Sequence, residues 1–280
     1  MTDEVGRASF KLNEPELKFV GRVVSPARDS GSLPLQGVPA EAHIFAEYAD
    51  ALDDLDEHSH IWLLCWLHEA DRDRLKVAPK RIKVDSPPKG VFSLRSPVRP
   101  NPIGLTAARI LGREGNVLYL DHVDFIDGTP IVDIKPYSVG WDSIFSARNN
   151  STYGTYAKMA VEDVYDDMLR QAANFHGDCC IGVAIGMRAA HLAMRHFKCD
   201  LQTKSLKATA AARGCIADAL QGLMQAGNKR FFKIEPPTGE IVFELDGRRL
   251  KLTVTRDKFE SVDAVLAAPD EKVFIAREAV

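Results

Sequence analysis

RSPVRPNPIGLTAARILGREGNVLYLDHVD, residues 95–124, joins a stiff loop to a hairpin in one stretch. The first part, Arg95 to Leu105, sets two arginines among three prolines. Each proline fixes its own φ near about −65° and pushes the residue before it out of the helical region. The loop is therefore expected to be extended and shaped before any ligand arrives. Arginine suits planar, two-pronged contact with a carboxylate or phosphate, so the segment reads as an anion-holding wall with the Asn101 amide beside it. The same residues also read as a proline-rich turn with two solvated arginines. Downstream, residues 106–111 and 117–124 flank Gly112-Arg113-Glu114-Gly115-Asn116, the composition of a hairpin turn.

Outward from this hairpin, residues 19–24 are a short β-rich run closed by Ser25-Pro26, and 31–39 is a Gly/Pro/Ser loop. Residues 40–52 are alanine-rich with Ile44, Tyr48 and Leu52 at helical spacing, which predicts a helix. Residues 60–67 are apolar on both faces, as in a buried strand. A charged loop leads to Arg81-Ile82-Lys83-Val84-Asp85, and 131–134 is a further short strand. Many short strands with Gly/Pro turns predict a mainly-β barrel, closed or nearly closed.

After Trp141 the character changes, and the polar run 147–152 reads as a linker. Helices are predicted over 156–175, with Met159, Val164, Met168 and Leu169 as a buried stripe, over 181–197, and over 208–224. Strands follow at 231–234, 241–245 and 250–255, with Asp246-Gly247 as the turn between the last two. The expected organisation is a barrel over 17–145, a linker over 146–157 and an α+β domain over 158–262.

The chain has 280 residues, 45% of them hydrophobic, which suits a folded globular protein of one large or two ordinary domains. No apolar run approaches the roughly 18 residues of a bilayer span, and Met1-Thr2-Asp3-Glu4 lacks the pattern of an export signal, so no membrane partner and a cytoplasmic setting are expected. Five cysteines, an odd number, read as free thiols or metal ligands. The net charge is −3, with an acidic cluster at Asp50, Asp53, Asp54, Asp56 and Glu57. Such a balance argues mildly against a nucleic-acid substrate, although Lys76, Lys80, Arg81, Lys83 and Lys89 offer a local basic patch.

The run RSPVRPNPIGL, followed by Asp127-Gly128-Thr129-Pro130 and Asp133-Ile134-Lys135-Pro136-Tyr137, resembles the TsaA/TrmO (YaeB-like) family of S-adenosylmethionine-dependent methyltransferases. Gly21-Arg22-Val23-Val24-Ser25-Pro26, Leu33-Pro34-Leu35-Gln36 and Ser59-His60-Ile61-Trp62-Leu63-Leu64, running on to His68, extend the match. The resemblance covers about residues 17–145. It implies a barrel that binds the cofactor outside any Rossmann fold, as a homodimer with the site near the interface. By motif, Pro34, Leu35 and Gln36 fall on the first cofactor loop, where Leu35 replaces the usual arginine. His68 and Glu69 fall on the second contact point, Arg95 and Leu105 on the third, and Asp127, Gly128, Thr129 and Pro130 on the turn that closes the pocket. Arg99 and Asn101 are expected on the acceptor side, and Lys135 and Tyr137 as a polar stripe that reaches the pocket. For His68 alone the residues also allow a satisfied ring at a strand end, and for Lys135 a plain ion pair.

A second motif, Phe175-His176-Gly177-Asp178-Cys179-Cys180-Ile181-Gly182, resembles the opening Phe-His-Gly-His-x-Cys-Pro-Gly of the FmdE family, known from molybdenum formylmethanofuran dehydrogenase. Gly214-Cys215-Ile216-Ala217-Asp218 is similar to that family's cysteine-bearing helix start. The resemblance implies His176, Cys180 and Cys215 near one another, a donor set suited to zinc. Asp178 replaces the second histidine, Ile181 the proline, and a further cysteine loop is missing between Leu223 and Arg230. Either a metal survives with Asp178 or water as fourth ligand, or only the fold persists. Cys179 and Cys199 are expected in the core. His191 and His196, five residues apart, do not share a helix face as a ligand pair would.

The leading expectation is methyl transfer from S-adenosylmethionine, for which the resemblance implies N6 of threonylcarbamoyladenosine in tRNA as acceptor. The alternatives are a small-molecule or metal-associated acceptor presented by the C-terminal domain, and a non-catalytic cofactor- or metal-binding protein.

Overall fold

The computed structural model describes residues 16–34, 36–78, 87–144, 147, 153–212, 214–227, 229–256 and 258–279. Leu35, the run 81–85, the basic residues Lys80, Arg81 and Lys83, and half of the expected linker lie outside them. The chain divides into two compact units on either side of Asp142.

In the first unit, β1 (Gly21–Val24), β2 (Val38–Ile44), β3 (His60–Trp66), β6 (Ile103–Glu114), β7 (Val117–Val123) and β8 (Pro130–Pro136) close into a barrel in the order β1-β2-β7-β6-β3-β8. The short strands β4 (Lys76–Val77) and β5 (Lys89–Gly90) pair separately. Every barrel pair is antiparallel. Closure removes the open edges that short strands would otherwise present. Ile61, Leu63 and Cys65 of β3 are fully buried with Ala42, Ala108, Leu118, Leu120 and Ile131. Their outward neighbours Trp62, Leu64 and Trp66 are half-buried, so β3 has one core face rather than two.

The helix expected over 40–52 forms only in part, because residues 40–44 belong to strand β2. Ala40, Ala42 and Ile44 point inward while Glu41 and His43 do not, a period of two, and β1 and β7 supply hydrogen-bonding partners on both sides. Only Ala46–Leu52 winds, as a 3-10 helix. The ladder outweighs alanine's helical preference, which is worth only tenths of a kcal/mol per residue.

Alternating strand directions set the geometry of the barrel's ends. The chain leaves at Val24, Trp66 and Val123 and returns at Val38, Ile103 and Pro130, all at one end. At that end Gly37 has φ +80, and a Cβ there would lie 2.5 Å from the Val123 carbonyl oxygen, so only glycine lets the 34–37 turn close on β7.

In the second unit a five-stranded sheet has the order β10 (Phe231–Lys233), β9 (Lys207–Ala211), β11 (Glu240–Leu245), β12 (Arg248–Val254), β13 (Phe274–Ala279). The first pair is parallel and the others antiparallel. The helices, after the short α1 (Val139–Asp142) and α2 (Tyr153–Tyr156), are α3 (Val161–His176), α4 (Ile181–Phe197), α5 (Gly214–Met224), α6 (Val262–Ala267) and α7 (Asp270–Val273). The helix expected over 208–224 is therefore strand β9 followed by α5, because β9 is an inner strand whose Ala208 and Ala210 pack into the core. No helix among the described residues is long and apolar enough to cross a membrane.

Helix α4 is buried without interruption from Val183 to His191 and carries a buried cation. The Arg188 guanidinium donates to the carbonyls of Val265 (2.6 Å), Leu266 (3.2 Å) and Ala268 (2.8 Å), pairs with Asp270, and lies 5.2 Å from the Tyr165 ring centre. It thereby gathers the orphan carbonyls at the end of α6. His191, one turn on, is 6% exposed and meets Tyr165 edge-on. Burial, and after it the Arg195 charge, push its pKa down to about 4.

A depressed histidine stabilises the fold fully above its unfolded value of about 6.5 and loses that contribution as pH falls toward the folded value. The second unit is therefore expected to lose about 3 kcal/mol more between pH 6.5 and 4 than a His191→Gln variant does. Urea unfolding of both proteins across that range checks this, and parallel pH profiles would refute it.

Candidate functional site

Two constellations stand out, one in each unit. At the end of the barrel where Val24, Trp66 and Val123 leave, the loops holding Pro34 and Gln36, His68 and Glu69, Arg95 to Asn101, and Asp127 to Pro130 come together. The last is a tight turn locked to β1. Gly128, at φ +76, donates its N–H to Val23 (2.9 Å), Val23 donates to the Thr129 carbonyl (2.8 Å), and the buried Thr129 hydroxyl donates to Ile126 (2.7 Å). The Asp127 carboxylate accepts from the Ser25 N–H (3.1 Å) and pairs with Arg28.

The arginine loop is braced. Arg99 donates to the carbonyls of Ser96 (2.8 Å), Leu94 (2.5 Å) and Val91 (3.4 Å), so its Nε and Nη2 hold the loop's own shape and only Nη1 remains. Arg72 donates to the Pro100 carbonyl (2.9 Å) while stacking on Trp66, and Leu67 donates to the Pro102 carbonyl (2.7 Å). Arg95 and Asn101 belong to this loop, and His68 and Glu69 follow β3 at the same barrel end. All four are exposed and their side chains make no hydrogen bond or ion pair with a described residue. Leu105 is exposed on the outer face beside them.

Lys135 and Tyr137 sit at the other end of β8, about 20 Å from Pro130 at the rise of a strand. Lys135 pairs with Asp133 (2.7 Å) and Tyr137 packs against Trp62 and His60. The structure does not bring them to the arginine loop. Arg28 and Arg72 escaped the sequence reading because charged loop residues carry no periodic signal.

In the second unit, one ligand atom each of His176, Cys180 and Cys215 lie within 4.8 Å of one another. His176 ends α3, Cys180 caps the start of α4, and Cys215 is the second residue of α5. Both thiols therefore sit at helix starts. The close approach needs glycine, since a Cβ on Gly182 would lie 2.7 Å from the Cβ of Cys215. Gly177, at φ +98, ends α3 and turns the chain back toward Cys180.

His176 Nε2 stands 3.9 Å from Cys180 Sγ, close to the roughly 3.6 Å that two tetrahedral zinc ligands keep. Burial, and after it the Cys180 thiol, push the Cys215 pKa up, as expected of crowded sulfurs that need a cation to ionise together. The donor set fits zinc.

Asp178 is not in the group. It is exposed and accepts from the Cys179 N–H (2.7 Å). Cys179, expected in the core, is exposed, because it lies in the turn between α3 and α4. Asp218 does reach the cluster. Its carboxylate meets His176 Nδ1 at 3.0 Å, and its place three residues after Cys215 on a helix is a signal that the sequence reading passed over.

Residues 23–143 match the family described as tRNA-methyltransferase O N-terminal domain, and residues 175–270 the family described as FmdE, molybdenum formylmethanofuran dehydrogenase operon. A relative from Archaeoglobus fulgidus, named "Probable S-adenosyl-L-methionine-binding protein", is 32% identical over 278 residues, which cover 95% of this chain and 71% of that one. A tRNA (adenine(37)-N6)-methyltransferase from Mus musculus is 40% identical over 124 residues, 44% of this chain and 28% of that one. A crystal structure of TrmO from Pseudomonas aeruginosa aligns with a TM-score of 0.42 at 20% identity, covering 87% of this chain and 92% of that one.

Proposed function

The chain belongs to the TsaA/TrmO family of S-adenosylmethionine-dependent methyltransferases, with an FmdE-type domain following in sequence, and we propose that it methylates N6 of threonylcarbamoyladenosine in tRNA. The observation that carries this reading is a set of exposed side chains, Arg95, His68, Glu69 and Asn101, with no hydrogen bond or ion pair to a described residue, at the barrel end that also holds Pro34, Gln36 and the 127–130 turn. A sulfonium methyl is already activated, so the protein has mainly to align the acceptor and stabilise changing charge. No metal is needed for that step.

In this proposal Pro34, Leu35, Gln36, His68, Glu69, Arg95 and Leu105 hold the cofactor, with the turn from Asp127 to Pro130 closing the pocket. Asn101 faces the acceptor, and Arg99 keeps the loop in shape. A homodimer belongs to the proposal, supported by the exposed Ile103 and Leu105 beside Trp62, Leu64 and Trp66 on one outer face. So does a cytoplasmic setting, where tRNA is met.

Calorimetry with S-adenosylmethionine tests the site. The wild type is expected to bind, and Arg95→Ala to bind at least about tenfold more weakly, the loss of one charge-assisted contact. No binding by the wild type would overturn the methyltransferase reading in favour of a repurposed ligand-binding barrel. The acceptor is tested separately, by nucleoside analysis of tRNA from a strain lacking the protein, where an unchanged profile would sink tRNA.

The His176, Cys180 and Cys215 cluster favours a second reading of the acceptor. In it the C-terminal domain holds zinc through these three residues and presents a metal-associated or small-molecule acceptor.

A further inference from the structure

A histidine can ligate a metal through Nε2 only when that nitrogen carries the lone pair, and the partner of Nδ1 decides which tautomer is present. An ionised carboxylate only accepts hydrogen bonds. The Asp218 carboxylate stands 3.0 Å from His176 Nδ1, so the nitrogen left to face a metal is Nε2, which stands 3.9 Å from Cys180 Sγ. Asp218 and Cys215 lie three residues apart on α5 and share its face, so one helix supplies both a ligand and the group that orients another. The Asp218 side chain is 41% exposed and makes no other hydrogen bond or ion pair with a described residue, so the core does not depend on it. It stands outside the trio whose ligand atoms converge. Asp178, nearer in sequence to both ligands, is engaged with its own backbone instead.

We infer that Asp218 is the positioning residue of the metal centre formed by His176, Cys180 and Cys215, holding the imidazole in the ligating tautomer and orientation. The inference rests on the metal reading given above. Asp218 binds no metal itself; it raises the affinity of the site by sparing His176 the cost of being oriented.

Cobalt(II) titration of the full chain, followed by its thiolate charge-transfer absorption and by zinc competition, tests this. Asp218→Ala is expected to weaken zinc binding by about 10–100-fold, the range for removing the partner of a ligating histidine. Asp218→Asn should fall between, because the amide oxygen still accepts from Nδ1, and Asp218→Glu should recover part of the loss. The cobalt spectrum at saturation is expected to match the wild type, since the ligands are unchanged, and the metal-free melting curve should not move. Equal affinity in Asp218→Ala would overturn the positioning role. A changed spectrum at saturation would overturn it too, by making Asp218 a ligand. Wild-type protein that takes up neither cobalt nor zinc would defeat the metal reading itself, which is distinguishable because no variant is needed to see it.

Discussion

Arg188→Ala is expected to cost the second unit about 3–5 kcal/mol, the cost of removing one partner from a buried charged network. The guanidinium is 2% exposed and joins α4 to the carbonyls at the end of α6 and to Asp270. Without it, the buried Val265 carbonyl loses its partner, and the part-buried carbonyls of Leu266 and Ala268 lose theirs. Asp270→Asn, at a carboxylate 37% exposed, should cost only about 1 kcal/mol or less, because solvent already serves that end of the pair. The three tryptophans, Trp62, Trp66 and Trp141, all lie in the first unit, whereas the long helices lie in the second. Urea unfolding followed by far-ultraviolet circular dichroism thus reads the helical unit, and tryptophan fluorescence reads the barrel. A loss below about 1 kcal/mol in the helical transition would show that the carbonyls find other partners.

The second large effect is expected from Cys180→Ser combined with Cys215→Ser. Serine keeps the size of the side chain but replaces a soft thiolate by a hydroxyl that does not ionise, leaving His176 as the one strong ligand of the trio. Zinc content should fall from about one ion per wild-type chain to none, and the zinc-dependent rise in melting temperature should vanish. That rise is worth about 4 kcal/mol when zinc stands at a thousand times its dissociation constant. Cofactor binding by the barrel is expected to persist, because none of its candidate residues lies in the second unit. Equal zinc in the double variant would end the metal proposal.

Much of the fold was legible from local patterns. The hairpin around Gly115 and Asn116, the strands near residues 21, 60 and 130, and the long helix from Ile181 to Phe197 all follow from periodicity and turn chemistry. Two alanine-rich segments did not, at Val38–Ile44 and Lys207–Ala211. Alanine favours helix locally, but that preference is small, so the neighbours that flank each strand decide.

By itself the sequence determined the chemistry on offer. It set a rigid arginine loop, a turn built on Gly128 and Thr129, and a histidine with two cysteines at helix starts, because side-chain type and local backbone preference are properties of short stretches. Which of these residues meet was decided only by the tertiary structure. The antiparallel order of the barrel sends Arg95, His68 and Asp127 to one end and Tyr137 to the other. The approach of α4 to α5 through Gly182 brings Cys215 to Cys180 and carries Asp218 to His176, while Asp178 is left in solvent. Convergence depends on ladder register and on how closely two helices pack, and both are set by residues far apart along the chain.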